Sequence, residues 1–394
     1  MHHSHREIFF KHVAQTSPTP LGIEIQKAEG VYIYDISGKK YLDFISGIAV
    51  SSVGHQHPQV KQAIVDQLNK YAHIMVYGET IQHPQTEYAQ LLTQHLPSSL
   101  DCIYFVNSGA EAIEGAMKLA KGYTGRPEIV AFENAYHGST QGALSIMGNE
   151  WLKSKYRPLL PAVKILKWQD NSELEQITSQ TAAVFIEPIR AESGIQIPDE
   201  NFLQALNQRC KETGTLLVFD EIQTGFGRTG KLFAFQHFGI VPDILVLGKA
   251  MGGGLPIGAF IASHSLMETF THHPLGHLTT FGGNAVCVAS ALATLNVILQ
   301  QNLIDNALRI EQQLKNNLVH TRIQFLRIKG AMGAIQLESS EIVMKTIELA
   351  INKGLIIDWF LFAPDCIRLA PPLTITSDEL QKGIEIILEC LDNV

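Results

Sequence analysis

The sequence predicts an α/β fold: a large, mostly parallel sheet flanked by helices, plus a smaller α+β domain formed by both chain ends. Three observations carry this expectation. Five apolar runs in the middle of the chain each end in a polar cluster and are followed by a helical stretch. Strands alternating with helices make a parallel sheet and bring the carboxyl ends of the strands to one edge. Beyond about residue 285 the alternation gives way to long amphipathic helices with short strands between them. Finally, 394 residues exceed what one core usually supports. The expected division is an N-terminal arm and hairpin over 1–45, belonging to the small domain, a large domain over 46–284, and the rest of the small domain over 285–394.

Residues 1–20 are polar, end in Ser17-Pro18-Thr19-Pro20, and read as an extended arm. Val31 to Phe44 reads as a hairpin turning at Ser37-Gly38-Lys39-Lys40. Pro58 to Tyr71 is expected to be helical, with Val60, Ile64, Val65 and Leu68 on one face, and Thr86 to His95 is a further helix. The strand-and-cluster pairs follow. Cys102–Val106 leads into Asn107-Ser108-Gly109-Ala110, and Glu128–Phe132 into a cluster ending Tyr136-His137-Gly138. Ala182–Ile186 leads into Glu187-Pro188, Leu216–Phe219 into Asp220-Glu221, and Ile244–Leu247 into Gly248-Lys249. In the last third, Leu303, Ala307, Ile310 and Leu314 mark one helix face, and Ile342–Ile351 is a second helix stopped by Gly354. Thr376-Ser377-Asp378-Glu379 has the form of a capping box opening a last helix with Leu380, Ile384, Ile387 and Leu391 inside. Ala331–Leu337 and Cys366–Leu369 are candidate strands.

A net charge of -8 argues against a nucleic-acid or anionic-membrane partner, and no apolar run approaches the roughly 20 residues of a membrane span. Met1-His2-His3-Ser4-His5 lacks the apolar core of a signal peptide; its histidines suit a tag remnant or a native start equally. Five scattered cysteines read as reduced thiols in a cytoplasmic protein.

The chemistry centres on Lys249, placed where a buried strand runs out and followed by Gly252-Gly253-Gly254. A lysine shielded from water there is disfavoured in its charged form and becomes nucleophilic toward a carbonyl; a surface loop lysine is the plain alternative. Asp220 ends the preceding strand. A lysine for a Schiff base and a carboxylate for a pyridine nitrogen are together what a pyridoxal phosphate (PLP) site needs. Ser108-Gly109-Ala110 opens a helix whose N-terminus suits a phosphate, although serine is also an ordinary N-cap. Tyr136 could stack on a planar ring or simply pack, and His137 suits a hydrogen-bonded structural role. Gly225 to Gly230 matches GxGxxG, but Asp220 to Thr224 intervenes between strand and glycines, no small-residue helix follows, and no acid sits about 20 residues on. It does not read as a dinucleotide site. The histidines at 55, 57, 272, 273 and 277 lack partners at metal-ligand spacing, so no metal is expected.

In this order, the motifs closely resemble the class III PLP-dependent aminotransferases, the group of acetylornithine, ornithine and 4-aminobutyrate aminotransferases. The resemblance runs from Tyr41-Leu42-Asp43-Phe44 and Gly54-His55-Gln56-His57-Pro58 to Arg368-Leu369-Ala370-Pro371-Pro372-Leu373. It implies a PLP fold type I chain whose 46–284 portion binds the cofactor. Lys249 resembles the Schiff-base lysine and Asp220 the partner of the ring nitrogen. Ser108, Gly109 and Ala110 resemble the phosphate cradle, Tyr136 the stacking aromatic, and Gln223 the contact to the phenolic oxygen, with Glu187 also at the cofactor. Thr280, in Thr279-Thr280-Phe281-Gly282-Gly283-Asn284, matches a threonine given to the neighbouring subunit's cofactor, which implies a homodimer. Glu192 and Arg368 resemble a glutamate–arginine pair that opens to admit a substrate carboxylate, and Tyr77 a residue near the donor. The implied reaction is a ping-pong transfer from an acetylornithine- or omega-amino-acid-like donor to a 2-oxo acid, with 2-oxoglutarate the expected acceptor. Two positions depart from the pattern. Ser139 stands where the family usually carries a carboxylate-gripping arginine, with Arg190 a nearby cation that could compensate. Ile48 stands where the ornithine enzymes carry a tyrosine. An aminomutase, or an amine transaminase whose donor lacks a carboxylate, is the alternative these departures raise.

Overall fold

The computed structural model describes residues 4–394. Its centre is a seven-stranded sheet built from β-branched and aromatic runs that suit a pleated, two-sided core. After the N-terminal strands β1 (Ile25–Glu29), β2 (Tyr32–Asp35) and β3 (Lys40–Asp43), the sheet comprises β4 (Cys102–Val106), β5 (Glu128–Phe132), β6 (Val163–Leu166), β7 (Thr181–Ile186), β8 (Leu216–Asp220), β9 (Ile244–Leu247) and β10 (Gly258–Ala262). Their spatial order is β4-β10-β9-β8-β7-β5-β6. β5 to β9 run parallel to one another, while β10 lies antiparallel between β4 and β9. Every residue of β7, β8, β9 and β10 is buried, as strands covered by helices on both faces require.

The five expected strands are present, with β8 running one residue further to include Asp220. The helix Gly109–Thr124 packs its small face on the sheet. Gly115 there faces Phe260 of β10 so closely that a Cβ would come within 2.3 Å of the ring. Any larger residue would push the helix off the sheet.

Both chain ends build the outer layers. β13 (Leu355–Ile356) pairs parallel with β3, Leu355 opposite Leu42, after β11 (Phe325–Lys329) and β12 (Met332–Gln336). β11 and β12 join β14 (Asp358–Phe360) and β15 (Ala363–Leu369) in a separate sheet of order β11-β12-β15-β14. The helix Leu303–Asn317 buries Leu303, Ala307, Ile310 and Leu314 as its spacing predicts. Ser377–Asp392 opens on the expected Thr376–Glu379 capping box and buries Leu380, Ile384, Ile387 and Leu391.

Some expectations fail. Residues 1–20 are not wholly an extended arm: His5–His12 is a helix held by a Ser4–Glu7 capping box, with no buried residue. Of the three histidines open to a tag reading, His2 and His3 lie outside the described residues, and His5 opens that helix. The helix from Pro58 ends at Leu68, and Val65 and Leu68 are exposed rather than inward. The next helix spans His83–Thr93, three residues earlier than its apolar pattern suggests, because Pro84 fits the first turn. β6, β10 and the helix Ala285–Gln300 carry no expectation at all.

The Gly225–Gly230 segment serves the fold. Arg228 within it is fully buried and donates to the carbonyls of Ala331 and Pro371 and to Ser52 Oγ, tying the central sheet to segments near both chain ends. Among the described residues no single helix is long and apolar enough to cross a membrane.

Candidate active site

The carboxyl ends of β5, β7, β8 and β9 open into one cavity of about 240 Å³. Gly109, Ala110, Tyr136, Glu187 and Glu192 contribute to its wall. Asp220, Gln223 and Lys249 complete that set. Eight of the residues singled out in sequence thus meet, although they span 141 positions from 109 to 249.

Lys249 follows β9 with φ +45, a left-handed conformation unusual for a side-chain-bearing residue. Its Nζ donates to Gln223 Oε1. Burial pushes the amine below the ordinary lysine value, against the pull of Glu192 and, more weakly, Asp220 and Glu187. A neutral amine population in a walled cavity is the state that attacks carbonyls.

Asp220 closes β8 and is buried. Its Oδ1 accepts from the Ile222 N–H at 3.0 Å, and its Oδ2 lies 2.7 Å from His137 Nδ1. Glu187, at the end of β7 between them, accepts from the backbone N–H groups of Tyr136 at 3.1 Å and Ala191 at 2.9 Å. Burial pushes its carboxyl up to about 7, with His137 working the other way. Ser108 caps the helix Gly109–Thr124, its Oγ accepting from the Glu111 N–H, which leaves the N–H groups of the first turn pointing toward the cavity end of the helix. Ser108 therefore is the ordinary N-cap of a helix terminus of the kind that suits an anion.

Behind Glu192 stands Arg368, on β15. Nη1 and Nη2 donate to Oε1 and Oε2 at 2.8 and 2.7 Å, a two-pronged pair with both residues almost wholly buried. Burial would raise Glu192, but the adjacent guanidinium wins and holds it below the usual range. Arg190 is turned elsewhere: it donates to the Glu133 carbonyl, lies 4.5 Å over the Trp168 ring, and does not line the cavity. Tyr77 and Thr280 are also absent from the cavity wall, but stand together, hydroxyl to hydroxyl at 3.4 Å. Ser139 is at the rim, 3.3 Å from the Tyr136 hydroxyl.

Sequence reasoning gave His137 only a structural part and did not single out Asp358, which lies 3.1 Å from Arg368 Nε. The alternation Asp358-Trp359-Phe360 in a three-residue strand carries too little pattern to read without its partner strand.

The cavity fits PLP by its donor set: a lysine amine, a buried carboxylate across from it, a helix N-terminus for a phosphate, and an aromatic rim. Comparison with known proteins agrees. The family aminotransferase class-III matches residues 13–391. The acetylornithine aminotransferase of Bacillus subtilis is 38% identical over 376 residues, covering 94% of this chain and 95% of the relative. The [LysW]-aminoadipate semialdehyde/glutamate semialdehyde transaminase of Sulfolobus acidocaldarius is 36% identical over 381 residues, covering 94% and 95%. Among solved structures, the Toxoplasma gondii ornithine aminotransferase crystallised with oxidised glutathione, which has PLP partly occupying its active site, superposes with a TM-score of 0.90. It is 27% identical and covers 99% of this chain and 94% of its own. The chain belongs to the class III aminotransferases, enzymes that depend on pyridoxal phosphate.

Proposed function

We propose that this enzyme moves an amino group from an acetylornithine- or omega-amino-acid-like donor to a 2-oxo acid, with 2-oxoglutarate as acceptor, in two half-reactions at one site. The observation that carries the reading is the buried Glu192–Arg368 pair beside the desolvated Lys249 amine. One site that serves two substrates needs a carboxylate receptor that can be present for one and masked for the other. A glutamate that neutralises the arginine fork masks it; an incoming α-carboxylate of matching geometry takes the same two N–H groups.

PLP, when bound, supplies the electron sink that makes a C–H bond beside nitrogen acidic. The chain's residues do the rest. Lys249 would hold the cofactor covalently, and its amine, when free and neutral, would serve as the base that moves the proton. Asp220, steadied by His137, would keep a proton on the ring nitrogen. The N–H groups of Gly109 and Ala110, with Ser108, receive the phosphate. Tyr136 would cover one ring face and Gln223 would reach the phenolic oxygen, while Glu187 braces the Tyr136 backbone. Tyr77 and Thr280 act across a homodimer interface: their pairing outside the cavity, beside exposed Met75, Ile81 and Phe281, suits delivery to the partner's site.

Ser139 favours a second reading of the donor. Among the described residues Lys249 is the one lysine or arginine in the cavity wall, and Arg190 is committed elsewhere. A donor without a carboxylate near its reacting end, as in an amine transaminase, fits that wall without an unpaired charge. Incubating the holo-protein with glutamate alone tests the main reading: about one equivalent of 2-oxoglutarate per site should appear without any second substrate. No release would overturn it. N-acetylornithine, 4-aminobutyrate and 1,4-diaminobutane, added in turn with 2-oxoglutarate, then separate the donors.

A further inference from the structure

Arg368 has more partners than a simple two-residue pair needs. Besides the Glu192 fork, its Nη2 donates to the Trp359 carbonyl at 3.1 Å, and its guanidinium stands 4.6 Å from the centre of the Phe360 ring. Its Nε lies 3.1 Å from Asp358 Oδ1, an ion pair by charge and distance rather than a hydrogen bond. Asp358 is directly opposite Arg368 in the β14–β15 register. These three contacts come from one strand hydrogen-bonded to the strand that bears Arg368, whereas Glu192 comes from the loop after β7.

The partners therefore differ in what can move. Asp358, Trp359 and Phe360 are fixed to Arg368 by the sheet ladder, so they stay with it. Glu192 can swing away without breaking a strand. When it does, the Nη atoms face the cavity and Nε still faces Asp358. A buried guanidinium deprived of every carboxylate is costly, and one held only by a neutral carbonyl and a ring could turn from the cavity. A second carboxylate on the side away from the fork prevents both.

We infer that Asp358 is a positioning residue for Arg368, holding the guanidinium through Nε while Glu192 yields the fork to a substrate carboxylate. This rests on the proposed use of Arg368 as the carboxylate receptor. Asp358 does not line the cavity, so its contribution is to how well a carboxylate binds, not to the proton transfers at Lys249.

Stopped-flow bleaching of the holoenzyme by glutamate tests this, with Asp358→Ala and Asp358→Asn beside wild type. For Asp358→Ala the half-saturating glutamate concentration should rise about tenfold, as for a lost charge-assisted contact, while the limiting rate changes less than about twofold. The near-visible absorbance of the bound cofactor should be unchanged. Asn keeps an oxygen toward Nε and should recover part of the loss; if the alanine variant does not fold, Asn alone should still raise half-saturation about threefold. Unchanged half-saturation would overturn the inference. So would a fall in limiting rate and cofactor absorbance together, with Asn no better than Ala. If wild type itself is not bleached by glutamate, the carboxylate-receptor reading fails instead, and the two failures are distinct.

Discussion

His137 Nδ1 lies 2.7 Å from Asp220 Oδ2, a contact that reaches from the segment after β5, across the end of β7, to the end of β8. Glu187, at the end of the intervening strand, holds the backbone just before His137. Three neighbouring strand ends thus fix one carboxylate, and Asp220 has little freedom to turn.

His137→Asn should therefore lower the limiting turnover rate about 10- to 100-fold, as lost support of a reacting group does. Its melting temperature without substrate should change little by comparison. The check is kcat and cofactor absorbance measured on the same sample. An unchanged kcat would show that Asp220 does not need the imidazole.

Ser139 sits at the rim with its hydroxyl against that of Tyr136. Ser139→Arg adds a guanidinium fork at the rim of a wall in which, among the described residues, Lys249 is the one lysine or arginine. The rate constant per molar for N-acetylornithine and 4-aminobutyrate should rise about tenfold, and that for 1,4-diaminobutane should fall. Parallel kinetics on the three donors decide it. A uniform loss across all three would mean that the rim does not face the donor's carboxylate.

His237 offers a pH test of the fold. Its Nε2 lies 3.1 Å from both the carbonyl and the hydroxyl of Thr229, and burial, with Lys329 nearby, pushes its pKa down to about 4. Unfolded histidine titrates near 6.5. Between those values the unfolded chain binds a proton that the folded chain refuses, so stability falls as pH drops from about 6.5 to about 4. His237→Gln should remove at most about one proton from that dependence and flatten the melting temperature against pH in that window. Identical slopes would contradict the assignment.

The strands and the cofactor end of the site were legible in sequence because the chemistry is local: each apolar run ends in its own polar cluster, as Ile244–Leu247 does at Lys249. The Thr376 capping box was legible for the same reason. The same signal at Ser4–Glu7 raises no expectation because no apolar face follows it, and none of the residues of the helix it opens is buried. β10, Gly-Ala-Phe-Ile-Ala, gives weak pattern and exists because β4 and β9 pair with it on both sides. Ala285–Gln300 is apolar nearly all round, so it shows no period. Asp358 and His137 are defined by what lies opposite them, and a partner across a sheet is written nowhere in the residues beside it.

Lys249 is proposed to carry both the cofactor and the proton. The most direct measurement is the absorbance of purified holo-protein, wild type and Lys249→Ala, before and after glutamate. Wild type should show a near-visible band that glutamate removes and 2-oxoglutarate restores. Lys249→Ala should lack that cycle, with turnover down by roughly 10³-fold or more and the fold intact by circular dichroism. A variant that still interconverts glutamate and 2-oxoglutarate at a rate near wild type would contradict the account.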